Sequence, residues 1–123
     1  MWGAILRATG PAPLDVRDDL ELIGAAGPGE VQLRVHATGL CHSDLSARHG
    51  TMPVSLPAVL GHEAAGEIVA VGTGVTHVAP GDNVVVAAVP PCGRCSFCLR
   101  GSAYLCVNFA AMFSTPPRYR CDG

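Results

Sequence analysis

Lysine is absent from this 123-residue chain, and its eight basic residues are all arginine. They are scattered, at Arg7, Arg17, Arg34, Arg48, Arg94, Arg100, Arg118 and Arg120. No basic patch with interleaved aromatics forms, so nucleic acid is not expected as a partner. Long apolar runs are also missing. The longest, residues 84–89, is far too short to span a bilayer, and no membrane partner is expected. Aromatics make up only 5% of the chain, and Trp2 and the three Phe read as core or rim packing rather than a ligand box. The opening Met1-Trp2-Gly3-Ala4-Ile5-Leu6-Arg7 lacks the charged head and long apolar centre of a secretory leader, which predicts a cytoplasmic location. No Gly-x-Gly-x-x-Gly links a strand to a helix, since Gly72-Thr73-Gly74 lacks the third Gly. A dinucleotide fold within these residues is therefore not expected.

What is present suits one small folded domain. Hydrophobic residues reach 49% against 15% charged, with a formal net charge of −2, so a buried core is possible and disorder is not expected. Fifteen Gly and ten Pro spread along the chain demand many turns, hence short strands. Residues 3–8 read as a first strand, ended by Pro11 and Pro13. Residues 14–17 and 20–22 are short alternating pieces, and residues 31–36 alternate apolar and polar as a half-buried strand does. Residues 43–48 form the best helix candidate, with Ser43 or Asp44 as cap, Gly50 as terminator, and Pro53 and Pro57 preventing its return. Residues 63–71 predict a strand with a bulge or close backbone approach at Gly66, and residues 83–89 another. The tail, residues 108–123, reads as loop. Such short strands between turns suggest a small β-barrel or sandwich.

Two constellations carry chemistry. Cys41 follows one predicted strand, and His62-Glu63 opens another. Thiolate, imidazole and carboxylate are all zinc ligands, and strand ends could bring them to one point. Read alone, a His beside a Glu is more often a surface or satisfied core pair. The second constellation is Cys92, Cys95, Cys98 and Cys106, spaced C-x2-C-x2-C-x7-C. Four thiolates so close in sequence can close a tetrahedron around zinc at little loop-closure cost. An iron–sulfur cluster and a disulfide pair are the alternatives.

Together these segments resemble the N-terminal part of zinc-dependent, medium-chain alcohol dehydrogenases. Gly39-Leu40-Cys41-His42-Ser43-Asp44, Gly61-His62-Glu63 running through Gly66, Gly72 and Val75 to Pro80-Gly81-Asp82, and the four-cysteine lobe occur in the family's order. The resemblance implies a mostly β, GroES-like partial barrel, residues 1–123 being one incomplete catalytic domain with a structural zinc lobe at 92–106. It implies that Cys41 and His62 hold a catalytic zinc, with Glu63 able to enter or leave its shell. Asp44 would orient the His62 ring, Ser43 would take the alcohol proton, and His42 would contact the cofactor's pyrophosphate. Cys92, Cys95, Cys98 and Cys106 would hold the structural zinc. The implied activity is oxidation of a small alcohol or reduction of an aldehyde with NAD(P), by a complete enzyme that is a homo-oligomer.

There are departures from the pattern. Ser46 stands where many relatives have a His, and Ala88 where several carry an aromatic that narrows the pocket. The family's third protein ligand to the catalytic zinc and its Rossmann domain have no counterpart here, and Cys121 does not match that ligand. The expectation is a fragment or isolated domain, inactive alone. The competing function is a truncated, non-catalytic zinc-binding module. A chaperonin-like cap or a zinc-free quinone reductase would need neither Cys41 and His62 nor the cysteine lobe. His36, His49 and His77 read as ordinary strand or turn residues, and Cys121 as an ordinary thiol.

Overall fold

The computed structural model describes residues 1–109 and 118–121. Eight short strands carry most of the regular structure: β1 (Gly3–Leu6), β2 (Asp15–Arg17), β3 (Glu21–Leu22), β4 (Val31–Thr38), β5 (Ala58–Val59), β6 (Ala64–Val71), β7 (Asn83–Val85) and β8 (Tyr119–Arg120). Helix α1 (His42–His49) follows β4, and a single turn, α2 (Ser96–Leu99), lies in the cysteine segment. The strands form three small antiparallel sheets, ordered β2-β1-β5, β3-β8 and β4-β6-β7. Among the described residues none of them closes into a barrel.

The longest pairing, β4 with β6, positions the site. Its register runs from Val31 opposite Val71 to Thr38 opposite Ala64, with irregularities between Gln32 and Leu33 and between Val35 and Ala37. Gly66 lies opposite Val35 beside the second irregularity. A Cβ at Gly66 would collide with the Arg34 carbonyl, so the close backbone approach expected there is present. Ile68, on the same strand, is fully buried with Ile5, Leu6 and Leu20. Burying each such side chain is worth about 1.5–3 kcal/mol. Val31 and Val35 on β4 remain exposed, so the half-buried alternation expected of this strand is not realised among the described residues.

Four local expectations change. Helix α1 starts one residue earlier than expected and is capped by Cys41, not by Ser43 or Asp44. Asp44 instead sits in the first turn, where its carboxylate accepts the Cys41 N–H at 3.0 Å and suits the positive helix end. Strand β7 stops at Val85, well short of residue 89. Val86 N–H still bonds to the Ala64 carbonyl, but β6 begins there and offers nothing further to pair with. In the supposed loop tail, Tyr119 and Arg120 pair with Leu22 and Glu21, and Arg120 bonds to the Glu21 carboxylate at 2.7 Å. The remainder of that tail, residues 110–117 and 122–123, lies outside the described residues. Trp2 is 76% exposed and packs no core. Gly50 ends α1 as expected, at φ 80°, with its N–H on the Ala47 carbonyl.

Candidate catalytic and metal centres

The end of β4, the cap of α1 and the start of β6 meet at one point. Gly39 N–H and the Thr38 hydroxyl both bond to the Glu63 carbonyl, at 2.8 and 2.9 Å. This latch fixes the His62-Glu63 segment against the turn that carries Cys41. Gly39 lies against the Glu63 side chain, whose carboxylate would have to swing aside for a larger residue there. As a result one donor atom each from Cys41, His62 and Glu63 lie within 4.8 Å of one another.

Ser43 and Asp44 organise this cluster from the first turn of α1. The Ser43 hydroxyl lies 3.0 Å from Cys41 Sγ and 3.1 Å from His62 Nε2. On the other side of the ring, Asp44 Oδ1 faces His62 Nδ1 at 3.4 Å while Oδ2 holds the Cys41 amide. One carboxylate thus fixes both the helix cap and the imidazole. The geometry favours a proton on Nδ1 and leaves Nε2 aimed at Ser43 and Cys41. The Ser43 hydroxyl, its backbone N–H and then His62 hold the Cys41 thiol below its usual range. The Cys41 thiolate, helped by Asp44, holds His62 above its own despite partial desolvation. A thiolate so stabilised is ready to bind a cation.

His42 is exposed at the first helical position and lies outside this cluster. Ser46 directs its hydroxyl to the His42 carbonyl, 3.3 Å away. A cleft of about 270 Å³ borders the cluster, lined by Asp44, His62, Met52, Val59 and Leu60 among others. The Tyr119 hydroxyl at its wall is buried with no hydrogen-bond partner among the described residues, and burial raises its pKa. Ala88 does not line this cleft.

The four lobe sulfurs also lie within 4.8 Å of one another. Zn–S bonds of about 2.3 Å place tetrahedral sulfurs about 3.8 Å apart, a separation within that span and near the 3.5 Å between the Cys95 and Cys98 sulfurs. An iron–sulfur cluster sets iron and sulfide between its cysteines and needs a wider spread. All six cysteines are free thiols, which removes the disulfide alternative here. Backbone donors supply much of the local order: Cys92 N–H reaches Cys106 Sγ at 3.3 Å, and Cys95 N–H reaches Cys92 Sγ at 3.4 Å. The Asn108 amide first, then the Arg94 and Cys95 N–H groups, lower the Cys92 thiol to about 6. Burial, with Cys95 beside it, pushes Cys98 up to about 11. Cys121 lies outside both clusters and accepts a contact from Arg7 Nη2 at 3.6 Å.

Residues 27–121 match the alcohol dehydrogenase GroES-like domain family. The chain belongs to this family. It is 45% identical to the NDMA-dependent alcohol dehydrogenase of Amycolatopsis methanolica, over 84% of this chain and 27% of that protein. It is 42% identical to the S-(hydroxymethyl)glutathione dehydrogenase of Paracoccus denitrificans, over 80% of this chain and 26% of that protein. The crystal structure of an alcohol dehydrogenase zinc-binding domain protein from Burkholderia ambifaria superposes with a TM-score of 0.87 at 40% identity, covering 98% of this chain and 33% of that one. The chain thus spans about a quarter to a third of these alcohol dehydrogenase relatives. Sequence reasoning missed Asn108 and Tyr119 as site neighbours. Asn108 follows Cys106 closely but is no metal ligand, and Tyr119 reaches the cleft only through the folded return of the chain.

Proposed function

We propose that residues 1–123 form one incomplete GroES-like catalytic domain of a zinc-dependent, NAD(P)-linked alcohol dehydrogenase. The observation that carries this reading is the convergence of Cys41, His62 and Glu63 donors within 4.8 Å, with the Ser43 hydroxyl touching two of them. These three residues would hold the catalytic zinc and Cys92, Cys95, Cys98 and Cys106 the structural one. When bound, zinc would supply Lewis acidity toward an alcohol oxygen, and nicotinamide would supply the hydride acceptor.

The chain's own residues have separable tasks in this reading. Asp44 holds the His62 ring and the Cys41 amide together, so ligand geometry and helix cap are set by one group. Ser43 Oγ sits where it can accept a proton released at the centre and pass it outward. Ser46, in place of an imidazole, leaves the relay to end in solvent. His42, exposed at the helix start, would contact the cofactor's pyrophosphate. The cleft beside His62 offers a mainly apolar bed for a small alcohol or aldehyde. A remaining protein ligand, the dinucleotide fold and homo-oligomeric assembly belong to the complete enzyme.

The test is the metal chemistry of Cys41 and His62. Cobalt(II) titration of the purified chain should report a thiolate-bound site that Cys41→Ser and His62→Ala each weaken. Binding unaffected by both substitutions contradicts the assignment.

A further inference from the structure

We propose that Asn108 is a positioning residue for the lobe metal, its carboxamide N–H bonding to the Cys92 sulfur and setting how firmly the lobe holds its ion. This inference rests on the structural-zinc reading of the lobe. Asn108 Nδ2 lies 3.3 Å from Cys92 Sγ. Asn108 is exposed, but the backbone that carries it is tied to the lobe. The turn that aims it is anchored at a ligand, since Phe109 N–H bonds to the Cys106 carbonyl at 3.5 Å. The same sulfur also accepts backbone N–H groups, that of Cys95 at 3.4 Å among them, while Cys95 and Cys98 lie sulfur to sulfur at 3.5 Å.

The physical reason is charge. Four thiolates around one divalent cation leave a net charge of about −2, crowded into a few ångströms. An N–H dipole aimed at a sulfur withdraws part of that density and fixes the sulfur's direction, as donors around metal ligands generally do. Removing it leaves the ligand in place but less well held and more electron-rich.

The experiment uses the purified chain loaded with zinc or with cobalt(II), as wild type, Asn108→Leu and Asn108→Gln. Asn108→Leu should release zinc to a chromophoric chelator roughly tenfold faster or more. Its sulfur-to-cobalt charge-transfer band should move to lower energy, and Asn108→Gln, which keeps an amide N–H, should recover part of both. Complete loss of lobe metal from Asn108→Leu with a loaded Asn108→Gln supports the same role more strongly. Release and spectra matching wild type overturn the inference, and so do equal defects in both variants, which mark a merely steric disturbance. A wild-type chain holding no metal that Cys95→Ser removes overturns the zinc-lobe reading itself, separately from any result at Asn108.

Discussion

Asp44 is the residue on which most of the Cys41–His62–Glu63 cluster depends, because its two carboxylate oxygens serve different neighbours. Asp44→Asn keeps an acceptor for the Cys41 amide but removes the negative charge facing His62 Nδ1. The expected result is a largely intact helix and a roughly 10- to 100-fold weaker metal affinity at Cys41 and His62. Circular dichroism with cobalt(II) titration separates the two effects, and unchanged affinity removes Asp44 from the site. Ser43 makes a different prediction. In a complete dehydrogenase carrying this domain, Ser43→Ala should slow alcohol oxidation by about 10²-fold or more at unchanged zinc content. An unchanged rate excludes it from proton transfer. The nearness of Ser43 and Asp44 to Cys41 was legible because the three occupy one turn, where sequence spacing nearly dictates spatial spacing, whereas the roles proposed for them come from the family resemblance. Tyr119 was not legible, since its strand partner lies far back in the chain and nothing local encodes the return, and Asn108 was not because an amide beside Cys106 carries no metal-ligand signal.

Among the elements, β6 has the tightest sequence requirement. Gly66→Ala should cost about 2–3 kcal/mol in chemical denaturation, because the new Cβ meets the Arg34 carbonyl and the β4–β6 ladder must yield. A loss within experimental error would show that the ladder adjusts freely. The turn before β4 adds a pH-dependent contribution. Glu30 accepts the Gly27 N–H and pairs with Arg118, and these two, in that order, lower its pKa. A carboxylate depressed by folding contributes stability above its unfolded pKa and loses it as pH falls through the folded one. Glu30→Gln should therefore destabilise near neutrality and narrow the gap to wild type in acid. A gap that does not change with pH contradicts this. Strands β4 and β6 were readable from alternation and from Gly66. The end of β7 and the existence of β8 were not, because each depends on where a partner strand starts or returns rather than on its own residues.

For the whole molecule, the mostly β fold followed from turn density and the four-cysteine lobe from its spacing, the Cys41–His62–Glu63 cluster needed the family resemblance, and the exposure of Val35, Leu40 and Val85 followed from none of these. Alternation shows which face is apolar, not what covers it. The 123 residues, produced as a separate polypeptide, should show no saturable NAD binding and no alcohol turnover. They lack a Gly-rich strand–helix turn, and hydride transfer requires the dinucleotide within about 3.5 Å of the substrate carbon. Turnover by this polypeptide would refute that expectation. We propose that one short chain builds two distinct metal centres, a closed cysteine lobe and an open Cys41–His62–Glu63 site, and zinc titration against a competing chelator tells them apart. Two classes of binding should appear: a tight one abolished by Cys95→Ser but not by Cys41→Ser, and a weaker one abolished by Cys41→Ser but not by Cys95→Ser. A single class of sites, or a weak class that survives Cys41→Ser, would contradict it.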